Sequence, residues 1–308
     1  MPEKANHAAA CPVRRRGGII ARQPHGLSVD PVTEAGPLRA NWPSWRRLAA
    51  LAGIAAVAAY AVLLAWVYWR QESLLFQPEP LALAHEFGLP DVREVRIDVD
   101  GATLSALHLK LPQPRGVVFF LHGNGGNLAT WFTNSDFYRK ANYDLFMLDY
   151  RGYGKSSGRI ESEAQLRADV RAAWDRVAPQ YAGKRKVIYG RSLGTALASG
   201  LAAQVQSDLT ILVSPYCSMG ELMQKYYPLL PTAILRYPLA TCGDVGRIHG
   251  RLLLVHGEED ALIPISQSER VLSFAPQATL LRIPGAAHND VHQFGAYTDV
   301  LMRTLKSL

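Results

Sequence analysis

Six short runs of large apolar side chains recur between residues 116 and 283, separated by helical patterns. They are Gly116–Leu121 (GVVFFL), Leu145–Leu148, Val187–Tyr189, Leu209–Val213, Leu252–His256 and Thr279–Ile283. Side chains that are apolar on both sides of a pleated strand must be covered on both faces, and crossover helices between parallel strands supply that cover. The pattern therefore confines residues 74–308 to the α/β class with a mainly parallel sheet and helices on both faces. Ahead of the six runs, Val92–Val99 and Thr103–Leu111 flank Asp100-Gly101, a favoured hairpin turn, and predict two antiparallel strands. Eight strands are expected in all. Ser162-Glu163-Ala164-Gln165 is a capping-box pattern that opens a helix running to about Val177. Leu193–Gln204 reads as a second helix, and Phe294, Tyr297, Leu301 and Leu305 mark one face of a last one.

Leu48 to Trp69 is a stretch of 22 residues without a charge. As a helix it is about 33 Å long, enough to cross a hydrocarbon core of about 30 Å. Trp42 and Trp45 precede it, and Trp66, Tyr68 and Trp69 close it, as interfacial aromatics do. Residues 1–47 carry eight Lys and Arg against three Asp and Glu, whereas the remaining 261 carry 25 against 23. Residues 1–47, with Arg14-Arg15-Arg16 and scattered Gly and Pro, read as a flexible basic tail. Positive charge before the stretch predicts a single-pass protein with a cytoplasmic N-terminus and an extracytoplasmic domain, periplasmic in a bacterium. A signal peptide cut near Ala59-Tyr60-Ala61 and a buried core helix are the competing readings. The near-neutral charge after residue 47 speaks against nucleic acid as a partner. Cys217 and Cys242 fall on the outer side, where a disulfide and two buried thiols both remain open; Cys11 lies in the tail.

Gly190-Arg191-Ser192-Leu193-Gly194 follows the run ending at Tyr189 and opens a helical segment. This is G-x-S-x-G in the strand, turn and helix context that lifts a serine hydroxyl above a sheet. A serine hydroxyl needs a base, and the base needs an orienting acid. In chain order the acid precedes the histidine. Asp260 stands after the strand ending at His256, and His288 stands in Gly285-Ala286-Ala287-His288-Asn289, after the strand ending at Ile283. Glu258 and Glu259 compete with Asp260 but read as solvated, and His292 competes with His288 but reads as packed on the final helix. His122-Gly123-Asn124-Gly125-Gly126-Asn127 follows Leu121; the backbone N–H groups of Asn124 and Leu193 are the expected oxyanion donors. His122 and His256 both end strands before glycine and are expected to bond neighbouring backbone.

Two rival motifs fail. Gly123-Asn124-Gly125-Gly126-Asn127 has Leu128 where a dinucleotide loop needs glycine, and Gly154-Lys155-Ser156 has Asp149 where a P-loop needs it. The histidines show no metal-ligand spacing, so neither cofactor nor metal is expected.

In their order, HGNGGN, DYRGYGKSSG (Asp149–Gly158), GRSLG, HGEEDALIP and GAAHND resemble the serine α/β-hydrolases over about residues 75–308. Within that superfamily the chain is similar to a membrane-anchored group that includes bacterial hydrolases of unassigned substrate and eukaryotic protein depalmitoylases. The resemblance implies ester or thioester hydrolysis without a cofactor, on small-molecule, lipid-like or acylated-protein substrates. Serine peptidase or amidase activity is the second reading, and an anchored binding protein with a hydrolase shell the third. An insert at Tyr216–Ile248 interrupts the alternation, and Tyr216, Met219, Met223 and Tyr227 are its candidates for a substrate wall. The same residues also suit a small helical pair packed on the core.

Overall fold

The computed structural model describes residues 44–308, so most of the basic tail, with Cys11 and Trp42, lies outside the described residues. The expected strands form as β1 (Val92–Val99), β2 (Ala102–Leu109), β3 (Gly116–Leu121), β4 (Tyr143–Leu148), β5 (Arg185–Arg191), β6 (Leu209–Val213), β7 (Arg251–Gly257) and β8 (Thr279–Ile283). They make one sheet in the order β1-β2-β4-β3-β5-β6-β7-β8. β1 and β2 pair antiparallel, as do β2 and β4, and every other neighbouring pair is parallel. The hairpin closes over Asp100-Gly101 with Val99 opposite Ala102, and Gly101 takes the positive φ that the turn requires.

Alternation along the central strands explains why their sequences are continuously apolar. Val117, Phe119 and Leu121 of β3 join one core, while Val118 and Phe120 join the other. Likewise Leu252 and Leu254 of β7 face one layer, and Leu253 and Val255 the opposite one. The first layer is closed by α4 (Glu163–Val177), α5 (Gly194–Ala202), α7 (Thr241–Val245) and α8 (Ser266–Phe274). The second is closed by α3 (Ser135–Ala141) and α9 (Gly295–Lys306). Two further helices, α2 (Leu128–Trp131) and α6 (Met219–Tyr226), sit in connections above the sheet strands. Ser162 caps α4 as its sequence predicts, accepting from the Gln165 N–H at 3.1 Å.

α1 (Ser44–Leu75) overruns the uncharged stretch at both ends. Arg46, Arg47, Arg70 and Glu72 end an apolar segment but are good helix formers, so charge marks no helix boundary here. The helix is long and apolar enough to cross a membrane, and none of its most apolar 18-residue window is buried. Its last turns attach to the insert after β6. Gln71 is 3% exposed and holds that segment twice, its Nε2 donating to Ile234 O at 2.7 Å and its Oε1 accepting from Arg236 N at 2.8 Å. Glu72 accepts from Arg236 Nη1 at 2.6 Å and from the Tyr237 hydroxyl at 2.8 Å.

A buried polar cluster at the β2–β4 edge carries a pH effect. His108 lies 2.7 Å from the Tyr181 hydroxyl, which donates to Asp144, and Lys110 stands nearby. Burial, then the Lys110 charge, lower the His108 pKa to about 4. An unfolded histidine takes up a proton below about 6.5. Stability is therefore full above that pH and falls as pH drops towards about 4, by about 3 kcal/mol at most from this residue. Thermal melts at pH 7 and pH 4.5 are expected to show this loss, and His108→Gln to flatten it.

Candidate active site

β5 runs straight into a tight turn at Ser192, whose φ of 51° lies in the left-handed region. A non-glycine residue there is strained, and the turn holds because its surroundings dictate it. The Ser192 N–H donates to Val213 O at 2.9 Å, and the Ser192 carbonyl accepts from the Thr195 amide at 2.9 Å. The flanking glycines are steric. A Cβ on Gly190 would sit 2.5 Å from Gly194 O and 2.6 Å from the Ala198 Cβ, and one on Gly194 would strike the Leu121 carbonyl. The turn thus needs strand, serine and helix in close contact.

His288 comes from the loop after β8 and Asp260 from the loop after β7, at the same carboxyl edge of the sheet. His288 Nε2 lies 3.0 Å from Ser192 Oγ, and His288 Nδ1 lies 2.7 Å from Asp260 Oδ2. Asp260 is 4% exposed, and its Oδ1 accepts from the Leu262 and Ile263 amides at 3.0 and 2.7 Å. Burial alone would raise its pKa. Hydrogen bonds from His256, His288 and the Ile263 amide outweigh that and hold the carboxyl well below the usual carboxylate range. Glu258 and Glu259 stay exposed.

His256 bonds backbone as expected, with Nε2 2.7 Å from Ile263 O, but it also lies 3.3 Å from Asp260 Oδ2. Because a carbonyl only accepts, that nitrogen carries a proton, and the imidazole presents it beside the carboxylate. Ser268 then donates to Nδ1 at 2.6 Å. The contact escaped the sequence reading; its only trace there is a histidine four residues before the acid.

Residues 112–242 match the family model described as serine aminopeptidase, S33. An uncharacterized protein of Mycobacterium tuberculosis is 31% identical over 241 residues, which are 74% of this chain and 84% of that protein. Alpha/beta hydrolase domain-containing protein 17B of Homo sapiens is 32% identical over 197 residues, 62% of this chain and 66% of its own length. The chain belongs to the α/β-hydrolase superfamily. Solved structures agree on the fold. A Pyrococcus furiosus esterase superposes with a TM-score of 0.61 at 19% identity, covering 76% of this chain and 97% of its own. A CIB-like hydrolase from Thermoplasma acidophilum gives 0.54 at 21%, covering 70% and 99%.

In this hydrolase the loop after β3 is fixed from several sides. The Asn124 side-chain oxygen accepts from the Gln77 amide and from the Tyr153 hydroxyl, both at 3.0 Å, and Trp131 Nε1 donates to Gly125 O at 2.9 Å. Asn127 caps α2 in a box with Thr130. His122 bonds Gly123 O through Nδ1 at 2.7 Å, and its Nε2 lies 3.5 Å from Asp149 Oδ1 with both side chains fully buried. The Asn124 and Leu193 N–H groups make no hydrogen bond to the rest of the described residues. No group of three or more His, Cys, Asp or Glu side chains is arranged for a metal among the described residues.

Arg191, the residue before Ser192, ties the histidine loop down. Its Nη2 donates to the His288 and Asn289 carbonyls at 3.3 and 3.1 Å, and its guanidinium lies over the Trp131 ring. His292 is not on the final helix: it occupies the 3-10 turn Val291–Gln293 before α9, 3.4 Å from Arg191 Nη1. Phe294 is extended, so α9 begins only at Gly295 and the apolar pattern starts one residue too early to mark its onset. Arg191→Met keeps the stem and removes the clamp. It is expected to lower kcat by about tenfold with little change in KM, since misplacing a reacting group by even about 1 Å is costly. Steady-state kinetics on a soluble ester checks this, and Arg191→Lys should not fully rescue it, because one ammonium cannot reproduce the fork.

The four candidates in the insert do not form one wall. Tyr216 is 1% exposed and Met223 9%, both turned into the core; Met219 packs at its edge, and Tyr227 is 63% exposed. Besides α6 the insert holds α7, and Cys217 and Cys242 are joined by a disulfide that closes its base. A cavity of about 600 Å³ lies beside the end of α1, lined by Trp69, Phe76, Tyr153, Arg159 and Arg236 among others; Ser192, Asp260 and His288 are not part of it.

Proposed function

We propose that this hydrolase is a membrane-anchored serine esterase or thioesterase working through Ser192, His288 and Asp260. The reading rests on one observation, the unbroken relay from Ser192 Oγ to His288 Nε2 at 3.0 Å and from His288 Nδ1 to Asp260 Oδ2 at 2.7 Å. His288 takes the serine proton as Ser192 Oγ attacks the carbonyl carbon. The Asn124 and Leu193 amides receive the oxyanion, and His288 then hands the proton to the leaving alcohol or thiol. Water, activated by the same histidine, releases the acid and restores the serine. Asp260 holds the imidazole in the tautomer that leaves Nε2 free to accept.

The anchor is α1, with residues 48–69 spanning the bilayer, 1–47 as a cytoplasmic tail and 74–308 as the extracytoplasmic catalytic domain. Arg46 and Arg47 favour that orientation, and the Cys217–Cys242 disulfide suits an oxidising compartment. Amide cleavage is the second reading, favoured by the match to the serine aminopeptidase family. A fluorophosphonate probe tests the first step. Covalent labelling is expected on the peptide containing Ser192, and an unlabelled wild-type protein would leave only the binding-protein reading. A series of p-nitrophenyl esters beside a peptide anilide then separates esterase from peptidase.

A further inference from the structure

The insert reaches farther along α1 than its attachment at Gln71 requires. The Tyr60 hydroxyl donates to Leu229 O. Tyr60 lies nine residues before Trp69, about 13 Å along the helix axis at roughly 1.5 Å per residue. The segment touching it, Tyr226-Tyr227-Pro228-Leu229-Leu230-Pro231, is apolar, and Leu229 is 82% exposed. Several of its backbone groups are paired within the protein. Tyr227 N–H donates to Met223 O and Leu230 N–H to Tyr227 O, Gln224 Nε2 caps Leu230 O, and the two prolines have no N–H to satisfy. Bare apolar side chains, prolines and backbone groups paired within the protein suit an irregular segment in a medium without water.

The apolar surface continues to the loop that carries Asp260. The Tyr226 hydroxyl donates to Ala261 O and Leu262 O, next to Asp260, and the Leu262 side chain is 58% exposed. From the apolar face of α1 the strip therefore runs through Leu229, Tyr227 and Tyr226 to Leu262. We propose that the Tyr226–Pro231 loop lies in the outer leaflet of the bilayer that α1 spans, so that Ser192 draws acyl substrate from the lipid phase. The proposal rests on the reading of α1 as a single span.

The test uses the full chain with Cys11→Ser, reconstituted in phosphatidylcholine nanodiscs and spin-labelled at Leu229→Cys. Val57→Cys, within α1, and Lys184→Cys, at the opposite sheet edge, are references. Collision with oxygen and with a water-soluble nickel chelate reports depth. The label at 229 is expected to resemble that at 57, oxygen-rich and nickel-poor. Resemblance to 184 while 57 stays nickel-poor overturns the loop proposal alone, and nickel access at 57 overturns it together with the span. Leu229→Glu is expected to leave p-nitrophenyl acetate turnover unchanged and to cut hydrolysis of a long-chain ester held in the disc by about tenfold. Equal losses on the two esters overturn the claim that the loop feeds the site, and absence of wild-type turnover on both overturns the esterase reading along with it.

Discussion

Ser192→Ala is expected to lower kcat on a soluble p-nitrophenyl ester by about 10⁶, and His288→Ala by a similar factor. The reason is mutual dependence. A hydroxyl 3.0 Å from an imidazole nitrogen is reactive only while that nitrogen can take its proton, and the imidazole has nothing to activate once the hydroxyl is gone. The double variant should therefore be no slower than either single one. A residual rate above that of water is expected from substrate binding and oxyanion donors that the substitutions leave intact. Alanine accepts the strained φ at residue 192 as well as serine does, so the melting temperature of Ser192→Ala should not fall. A large fall, or additive losses in the double variant, would separate these residues from a shared chemical step. Steady-state kinetics and thermal melts of the three variants provide both readouts.

The sheet was legible because its strands are buried on both faces. β3, β6 and β8 begin and end where their apolar runs do, and β4, β5 and β7 extend theirs by two to four residues. β2 stops at Leu109, two residues short of its run, since Lys110 N–H turns to Asp91 O and Leu111 N–H to Asp144. α2 and α3 were not legible: with four and seven residues they are too short to show a period, and α2 depends on its Asn127 cap. Within the site, motif order points to the three residues that the fold brings within hydrogen-bonding reach. His256 and Arg191 escaped because their contacts join loops that only the assembled sheet edge brings together. The link between Tyr60 and Leu229 spans 169 positions and rests on a side-chain hydroxyl meeting a loop carbonyl, for which no periodicity exists.

Asp260→Asn is expected to cost about 10⁴ in kcat while the side-chain shape is preserved. The carboxylate accepts on both oxygens: Leu262 and Ile263 amides on Oδ1, His288 Nδ1 and the nearby His256 Nε2 on Oδ2. An amide has one accepting oxygen. The two backbone donors claim it, so the NH₂ group faces His288, whose Nδ1 must then become the acceptor. The imidazole proton moves to Nε2, which now points a donor at Ser192 Oγ and can no longer take its proton. Stability shifts as well. Asp260 is held below the ordinary carboxylate value, so its contribution is complete above about pH 4 and disappears as acid carries the pH through the folded-state value. The asparagine variant lacks that acid-sensitive part. Its melting temperature should be lower than wild type at pH 7 and should converge with it as the pH falls towards 2. Parallel melting curves at all pH values would place the dominant role of Asp260 outside this carboxylate network.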